Sequence, residues 1–313
     1  RSPAPRLPSS SACLLRVNAP AIMREMLKAL IRAMRPRQWT KNAFIFAALI
    51  FDEQLTQRDP LLRTIAGFIL LCLISSAVYL LNDIADVEAD RQHPTKRNRP
   101  IAAGLLSIPV AVVFAIALAV FSMAASFALE PSFGWIIALY FVLNLFYSFW
   151  LKHAPIIDVL IIAAGFVLRV AAGVVLIEVA RFSPWLYVVT TFLALIIGFG
   201  KRRAEIILLA EGANAHRKVL DGYTIGLLDQ LIVIVSASTI MAYSLYTFSA
   251  LNLPSNNLMM LTIPFVIYGV FRYIYLIHME NAGGAPEELI LTDRPLLATL
   301  VLWGLLAALI LYL

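Results

Sequence analysis

The sequence predicts an all-α integral membrane protein with nine transmembrane helices and a polar cavity that faces the cytoplasm. Three observations predict it. Of the 313 residues, 61% are hydrophobic and only 14% charged, whereas a soluble domain is roughly half apolar and a quarter charged. The charges are clustered, and the stretches between clusters approach the ~20 residues that a helix needs to cross a bilayer. Those stretches are continuous rather than alternating, which favours helices over a barrel.

Residues 1–21 are rich in Pro, Ser and Ala and do not begin with Met. They read as a disordered tail, an upstream extension or a remnant of expression. Cys13 sits there in Ser-Ser-Ala-Cys with no apolar signal region before it, so lipidation is not expected. Residues 22–313 read as a single transmembrane domain. Met23 reads as a natural start, and Met23, Met26, Leu27, Leu30, Ile31 and Met34 fall at helical spacing opposite Arg24, Lys28, Arg32 and Arg35. This predicts a basic amphipathic helix lying on the membrane surface.

The spans follow at about 42–56, 61–82, 105–128, 133–151, 156–179, 183–200, 226–250, 257–278 and 295–313, the first being the shortest. Pro60, Pro109, Pro131, Pro155, Pro184, Pro254 and Pro295 mark the breaks. With the N-terminus cytoplasmic, 20 of the 25 basic residues lie inside, only Arg58, Arg63 and Arg181 lie outside, and Arg169 and Arg272 fall within spans. A bias of this size supports the orientation and an odd number of crossings. The two long cytoplasmic connections, about 83–104 and 201–225, hold most of the polar residues. Cys72 lies in an apolar run without a motif partner, so neither a disulfide nor a cysteine metal site is expected. A soluble nucleic-acid protein is excluded: the net charge of +6 comes from basic residues that follow membrane topology.

Four acidic residues fall within eight positions at the end of the second span: Asp83, Asp86, Glu88 and Asp90, preceded by Asn82. Asn82, Asp86 and Asp90 are spaced i, i+4, i+8 and share one helix face, with Asp83 about 100° away. Like charges stacked in this way repel, and a divalent cation removes the conflict. Carboxylate and amide oxygens are hard ligands suited to Mg²⁺, which keeps positions for water and substrate phosphates. Asn82, Asp86 and Asp90 are therefore the candidate metal ligands, and Asp83, Asp86 and Asp90 the candidate catalytic carboxylates. Lys96, Arg97 and Arg99 follow in one short loop and suit phosphate oxygens. The bland reading is a solvated helix end with ordinary ion pairs to those three cations. The shared face and the adjoining span favour the site.

A second cluster, Lys201, Arg202, Arg203 and Glu205, then His216, Arg217 and Lys218, reads either as topology signal and lipid contact or as a second anion site. Lys41 and Lys152 stand at cytoplasmic helix ends and are candidate phosphate ligands or interface anchors. Asp158 and Arg169 lie eleven residues apart in one span, too far for direct pairing. Arg272 reads as functional or as a structural hydrogen-bond centre.

The segment Asn82-Asp-x-x-Asp86-x-x-x-Asp90 resembles the first aspartate-rich motif of the UbiA superfamily of membrane prenyltransferases. The resemblance is nearest to its decaprenyl-phosphate phosphoribosyltransferase branch. It is carried by Arg35-Pro-Arg-Gln-Trp-Thr-Lys41-Asn42, Asp90-Arg-Gln-His93-Pro-Thr-Lys96-Arg97, Arg99-Pro-Ile-Ala, Gly200-Lys-Arg-Arg-Ala-Glu205, Asp229-Gln-Leu and Asp293-Arg-Pro. It covers about residues 24–313 and implies a nine-helix bundle. One departure stands out: the second aspartate pair expected after the sixth helix is replaced by Lys201, Arg202, Arg203 and Glu205.

The resemblance implies a catalytic domain, a pentosyltransferase that uses Mg²⁺. It would move 5-phosphoribosyl from phosphoribosyl pyrophosphate to a polyprenyl phosphate lipid in the inner membrane of a bacterial-type cell, in an arabinan-precursor route for cell-wall biogenesis. Lys41, Lys96, Arg97, Arg99, Lys152, Lys201, Arg202, Arg203 and Glu205 would bind its phosphates. A prenyltransferase acting on an aromatic or small acceptor is the first alternative, and a non-catalytic transporter the second. Formation of homo-oligomers stays open.

Overall fold

The computed structural model describes residues 19–312 apart from positions 94, 178, 180–182, 211–217, 251–252, 255, 281 and 285. Most of the predicted tail, with Cys13, lies outside the described residues, as do Arg181, His216 and Arg217. The helices are α1 (Ala19–Ala33), α2 (Phe46–Phe51), α3 (Arg58–Ala85), α4 (Val87–Gln92), α5 (Ile108–Leu129) and α6 (Pro131–Phe149). They continue with α7 (Ile157–Leu176), α8 (Pro184–Ala210), α9 (Ile225–Ser249), α10 (Ile263–Met279), α11 (Pro286–Thr292) and α12 (Arg294–Tyr312). Among the described residues, eight helices are long and apolar enough to cross a membrane. Helix α1 therefore takes residues 19–21 out of the predicted tail.

The predicted first span, 42–56, differs. Pro36–Ile45 is a 3-10 helix and α2 adds only 6 residues. Trp39, Thr40 and Asn42 are poor α-formers, and the last two compete for backbone bonds. The tighter helix also reaches further, at about 2.0 Å per residue against 1.5 Å. Ten 3-10 residues and six α residues extend about 29 Å, close to the ~30 Å of the hydrocarbon core.

The segment runs antiparallel beside α3. Arg35 meets Asp83, Trp39 Nε1 donates to Ser76 Oγ at 3.1 Å, and Asn42 Nδ2 donates to Ser75 Oγ at 3.2 Å. It also presses on α7, where a Cβ on Gly173 would lie 2.0 Å from the Ile45 carbonyl oxygen. Only glycine fits there.

The long helices form a ring in which sequence neighbours touch: α3, α5, α6, α7, α8, α9, α10 and α12. The 3-10 segment and α2 close it. At the far end, Tyr312 of α12 donates to the Ile50 carbonyl at 3.1 Å and accepts the Leu55 N–H at 3.2 Å. One apolar core joins α3, α6, α7 and the first segment, and another joins α7, α8, α9 and α10. Helix α1 packs Ala29, Leu30 and Ala33 against Leu80, Ile101, Leu106 and Ala111. Exposed Leu, Ile, Val and Phe cover the outward faces of α5, α6 and α12, as a lipid-facing surface requires.

Arg169 sits deep inside this ring. Its Nε donates to Asn42 Oδ1 at 2.8 Å, Nη1 to the Gly165 carbonyl at 2.7 Å and Nη2 to the Tyr140 hydroxyl at 2.8 Å. It ties the first segment to α6 and α7 through neutral partners. Arg272 instead pairs with Asp293 at 2.7 Å, fixing α10 to the start of α12. The hydrogen bond to Arg272, with a smaller part from the Leu296 N–H, holds the Asp293 carboxyl below the usual range.

Candidate active site

Helix α3 ends at Ala85, Asp86 takes a bent backbone, and α4 restarts at Val87. The ladder nevertheless continues, with the Asp86 N–H on the Asn82 carbonyl at 3.0 Å and the Asp90 N–H on the Asp86 carbonyl at 2.8 Å. The motif therefore stays on one helix end. Asp83 and Asp90 are buried, Asp86 is half-open and Asn82 is half-buried.

Cations from three other elements neutralise the carboxylates. Arg99 Nη1 bridges Asp83 Oδ1 at 3.0 Å and Asp90 Oδ2 at 2.6 Å. Arg35 Nη2 also reaches Asp83 Oδ1, and its guanidinium lies 5.0 Å from the Tyr79 ring centre. Lys152 Nζ meets Asp86 Oδ1 at 2.8 Å. Arg35 holds a left-handed backbone, φ 54°, directly before Pro36. That conformation is costly for a non-glycine residue and persists where contacts over-determine it. Asp83, expected to stand beside the metal stripe, is thus its most heavily paired member. Its second oxygen, Oδ2, is buried with no hydrogen-bond partner.

Among the described residues, no three His, Cys, Asp or Glu side chains converge to hold a metal. The donor types still fit a hard cation: oxygen anions at one helix end, with one buried carboxylate oxygen left open. Lys96 and Arg97 are exposed in the short helix Lys96–Asn98, and Lys41 and Lys201 are half-buried. His93 orders that loop. Its Nδ1 accepts the Thr95 N–H at 3.2 Å and the Lys96 N–H at 3.3 Å. Burial, then the charge on Lys96, hold its pKa below the ordinary histidine value.

The second cluster differs from the expectation. Lys201, Arg202, Arg203 and Glu205 lie on α8, which continues ten residues past the predicted end of its span. Arg202 is 1% exposed, with Nε on Asp158 Oδ2 and Nη1 on Glu205 Oε2, both at 2.6 Å. Arg203 donates to Asp229 at 2.7 Å and to the Ile277 carbonyl at 3.1 Å. In this arrangement both guanidiniums are spent on internal partners, because burying an arginine demands a carboxylate beside it. Neither stands as the open phosphate ligand expected, and Glu205 serves Arg202. Asp158 and Arg169, as expected, do not pair with each other.

Three further residues join the site's frame: Arg35, Tyr147 and Tyr223. Arg35 opened a recognised motif. The tyrosines sit in loops and helix ends with no periodic signal. Tyr147 lies 3.4 Å from Arg202, and the Tyr223 hydroxyl donates to Asp158 Oδ1 at 2.6 Å. Burial, then that bond, push the Tyr223 phenol up, so it stays a donor.

Comparison with known proteins decides the kinship. The model of the UbiA prenyltransferase family matches residues 43–289. The chain belongs to the UbiA prenyltransferase family. Within it, the chain is 36% identical to a decaprenyl-phosphate phosphoribosyltransferase of Corynebacterium glutamicum, over 90% of this chain and 86% of that protein. It is 35% identical to the protein of that name from Mycolicibacterium smegmatis, over 90% and 91%. A UbiA homologue from Archaeoglobus fulgidus, solved with DMAPP and Mg²⁺, superposes with a TM-score of 0.69 at 20% identity, covering 90% of this chain and 98% of that one. That last likeness establishes the UbiA fold. This UbiA-family chain is thus a multi-pass membrane protein whose acidic motif and its cations share one end of the bundle.

Proposed function

We propose that this chain transfers 5-phosphoribosyl from phosphoribosyl pyrophosphate to a polyprenyl phosphate of the decaprenyl type, releasing diphosphate. The observation that carries the reading is the pairing of Asp83, Asp86 and Asp90 with Arg35, Arg99 and Lys152. Such a site takes a substrate with several phosphates. The two named relatives, similar along most of the chain, support it.

Asn82, Asp86 and Asp90 would hold Mg²⁺, which offsets negative charge on the departing diphosphate. Arg99 and Lys152 turn from carboxylate to phosphate oxygens once the carboxylates are otherwise engaged; Arg99 holds the leaving group and Lys152 binds the donor's phosphates. Lys96, Arg97, Lys41 and Lys201 receive the remaining phosphates. The attacking lipid phosphate is already an anion, so no strong general base is required. Arg202, Arg203 and Glu205 position helices rather than bind substrate. The apolar outer faces shelter the isoprenoid chain.

The domain covers residues 22–313 in a bacterial-type inner membrane, with the site cytoplasmic. Pro36–Phe51 supplies the first of nine crossings. Helix α1 lies in the interface, with exposed Met23, Leu27 and Ile31 toward lipid.

The test incubates purified protein with Mg²⁺, labelled phosphoribosyl pyrophosphate and polyprenyl phosphate, then extracts the lipid. Label should enter the lipid and vanish with chelator or with Asp86→Asn. No label, alongside activity with a prenyl diphosphate and an aromatic acceptor, would move the chain to ordinary prenyl transfer.

A further inference from the structure

Lys152 reaches Asp86 from the short 3-10 turn Leu151–His153. The chain then re-enters the bundle through Pro155 and Ile156. Ile156 has φ 69° and ψ −48°, a region that a β-branched residue rarely adopts. The Ile157 N–H bonds the Pro155 carbonyl at 2.8 Å, which makes this the strained, positive-φ form of γ-turn. The Ile156 side chain is 44% exposed, so side-chain packing does not hold the turn.

Contacts from residues 222–223 do hold it. The Tyr223 hydroxyl accepts the Ile156 N–H at 2.5 Å and donates to Asp158 Oδ1 at 2.6 Å. Asp158, fully buried, is fixed in turn by Arg202. Pro155 seats on Gly222, where a Cβ would lie 2.2 Å from Pro155 Cγ. Strain of this kind survives only where neighbours over-determine it, and it gathers at functional sites. Here it lies between the lysine that meets the aspartate motif and the most deeply buried ion pair.

We propose that Tyr223 is a positioning residue for Lys152: its hydroxyl, shared between the Ile156 N–H and the Asp158 carboxylate, holds the strained turn that aims the Lys152 ammonium at the motif. Tyr223 itself touches no substrate. The inference rests on the proposed reading, in which Lys152 passes from Asp86 to the donor's phosphates.

The test uses the full chain with Mg²⁺, polyprenyl phosphate and varied phosphoribosyl pyrophosphate. Tyr223→Phe keeps the ring and loses both bonds. It should raise the donor KM about tenfold and leave kcat within about twofold. Lys152→Met should raise KM at least as much, and adding Tyr223→Phe to it should change nothing further. Ile156→Gly supplies a residue that takes positive φ without strain, so Tyr223→Phe/Ile156→Gly should return KM to within about threefold of wild type. A fall in kcat alone, an additive effect in the Lys152→Met background, or no rescue by glycine would overturn the proposal.

One readout does not depend on turnover. Acylation of the Lys152 amine and hydrogen exchange across 150–158 should both rise in Tyr223→Phe and fall back with Ile156→Gly. Unchanged values reject the clamp. Should wild type transfer no label to lipid, the functional reading fails, and the acylation and exchange results still decide whether Tyr223 aims Lys152.

Discussion

At the scale of single residues, the site is a matter of who neutralises whom. Asp83 Oδ1 takes both Arg35 and Arg99 while Oδ2 stays buried and open. Asp83→Asn leaves the half-buried Arg35 guanidinium without its anion and Arg99 with Asp90 alone. Each lost charged bond is worth about 1.5–3 kcal/mol, so kcat/KM for the transfer should fall at least a hundredfold. Steady-state kinetics check it, and a fall under tenfold would make Asp83 a bystander. His93 adds a pH dependence. The neutral ring caps two backbone N–H groups, and its pKa is lowered. The ordering it provides is complete above the ordinary histidine value and lost as pH falls through the lowered one. Donor KM should therefore be flat above about pH 6.5 and climb below it. His93→Asn, which keeps an acceptor, should remove the acid limb. That Asn82, Asp86 and Asp90 share one helix end was legible in the sequence because their spacing is local. Tyr147 and Tyr223 were not legible, and Arg35 was legible as part of a motif but not as the partner of Asp83, because these contacts span tens of residues and only the tertiary fold makes them.

At the scale of elements, hydropathy located eight helices to within a few residues at most ends, since lipid-length apolar runs leave little freedom. It failed where the backbone changes type. Residues 42–56 looked like a short α-span, whereas the observed segment is Pro36–Phe51, and its 3-10 part is tied down by Asn42, Trp39 and Arg169 rather than by any periodicity. It also failed at α8, whose basic stretch looks like a loop yet stays helical because Arg202 and Arg203 find carboxylates on other elements. Asn42→Ala removes the acceptor of Arg169 Nε and the donor to Ser75. It should cost about 2 kcal/mol of stability, read as a drop of several degrees in Tm in detergent, while Thr40→Ala at the exposed face changes little. Equal drops in both would mean that the Asn42 network does not lock the segment.

At the scale of the molecule, loop composition makes a definite forecast of orientation, because the cost of moving Lys and Arg across a bilayer is written directly into it. A cysteine placed at Asn257 should react with an impermeant maleimide on intact cells, and one at Arg97 should not; the reverse pattern would invert the topology. What composition could not show is how the ring shuts. Tyr312 binds the backbone of the first segment, 263 residues away from Leu49. At 5–20 residues per second, the ribosome needs roughly 15–50 s to make that distance. Throughout this interval the earliest segment waits in the translocon's neighbourhood with its last carbonyls uncovered. Pausing or truncation before α12 should therefore leave a chain inserted yet open along one seam, which a quality-control protease can recognise.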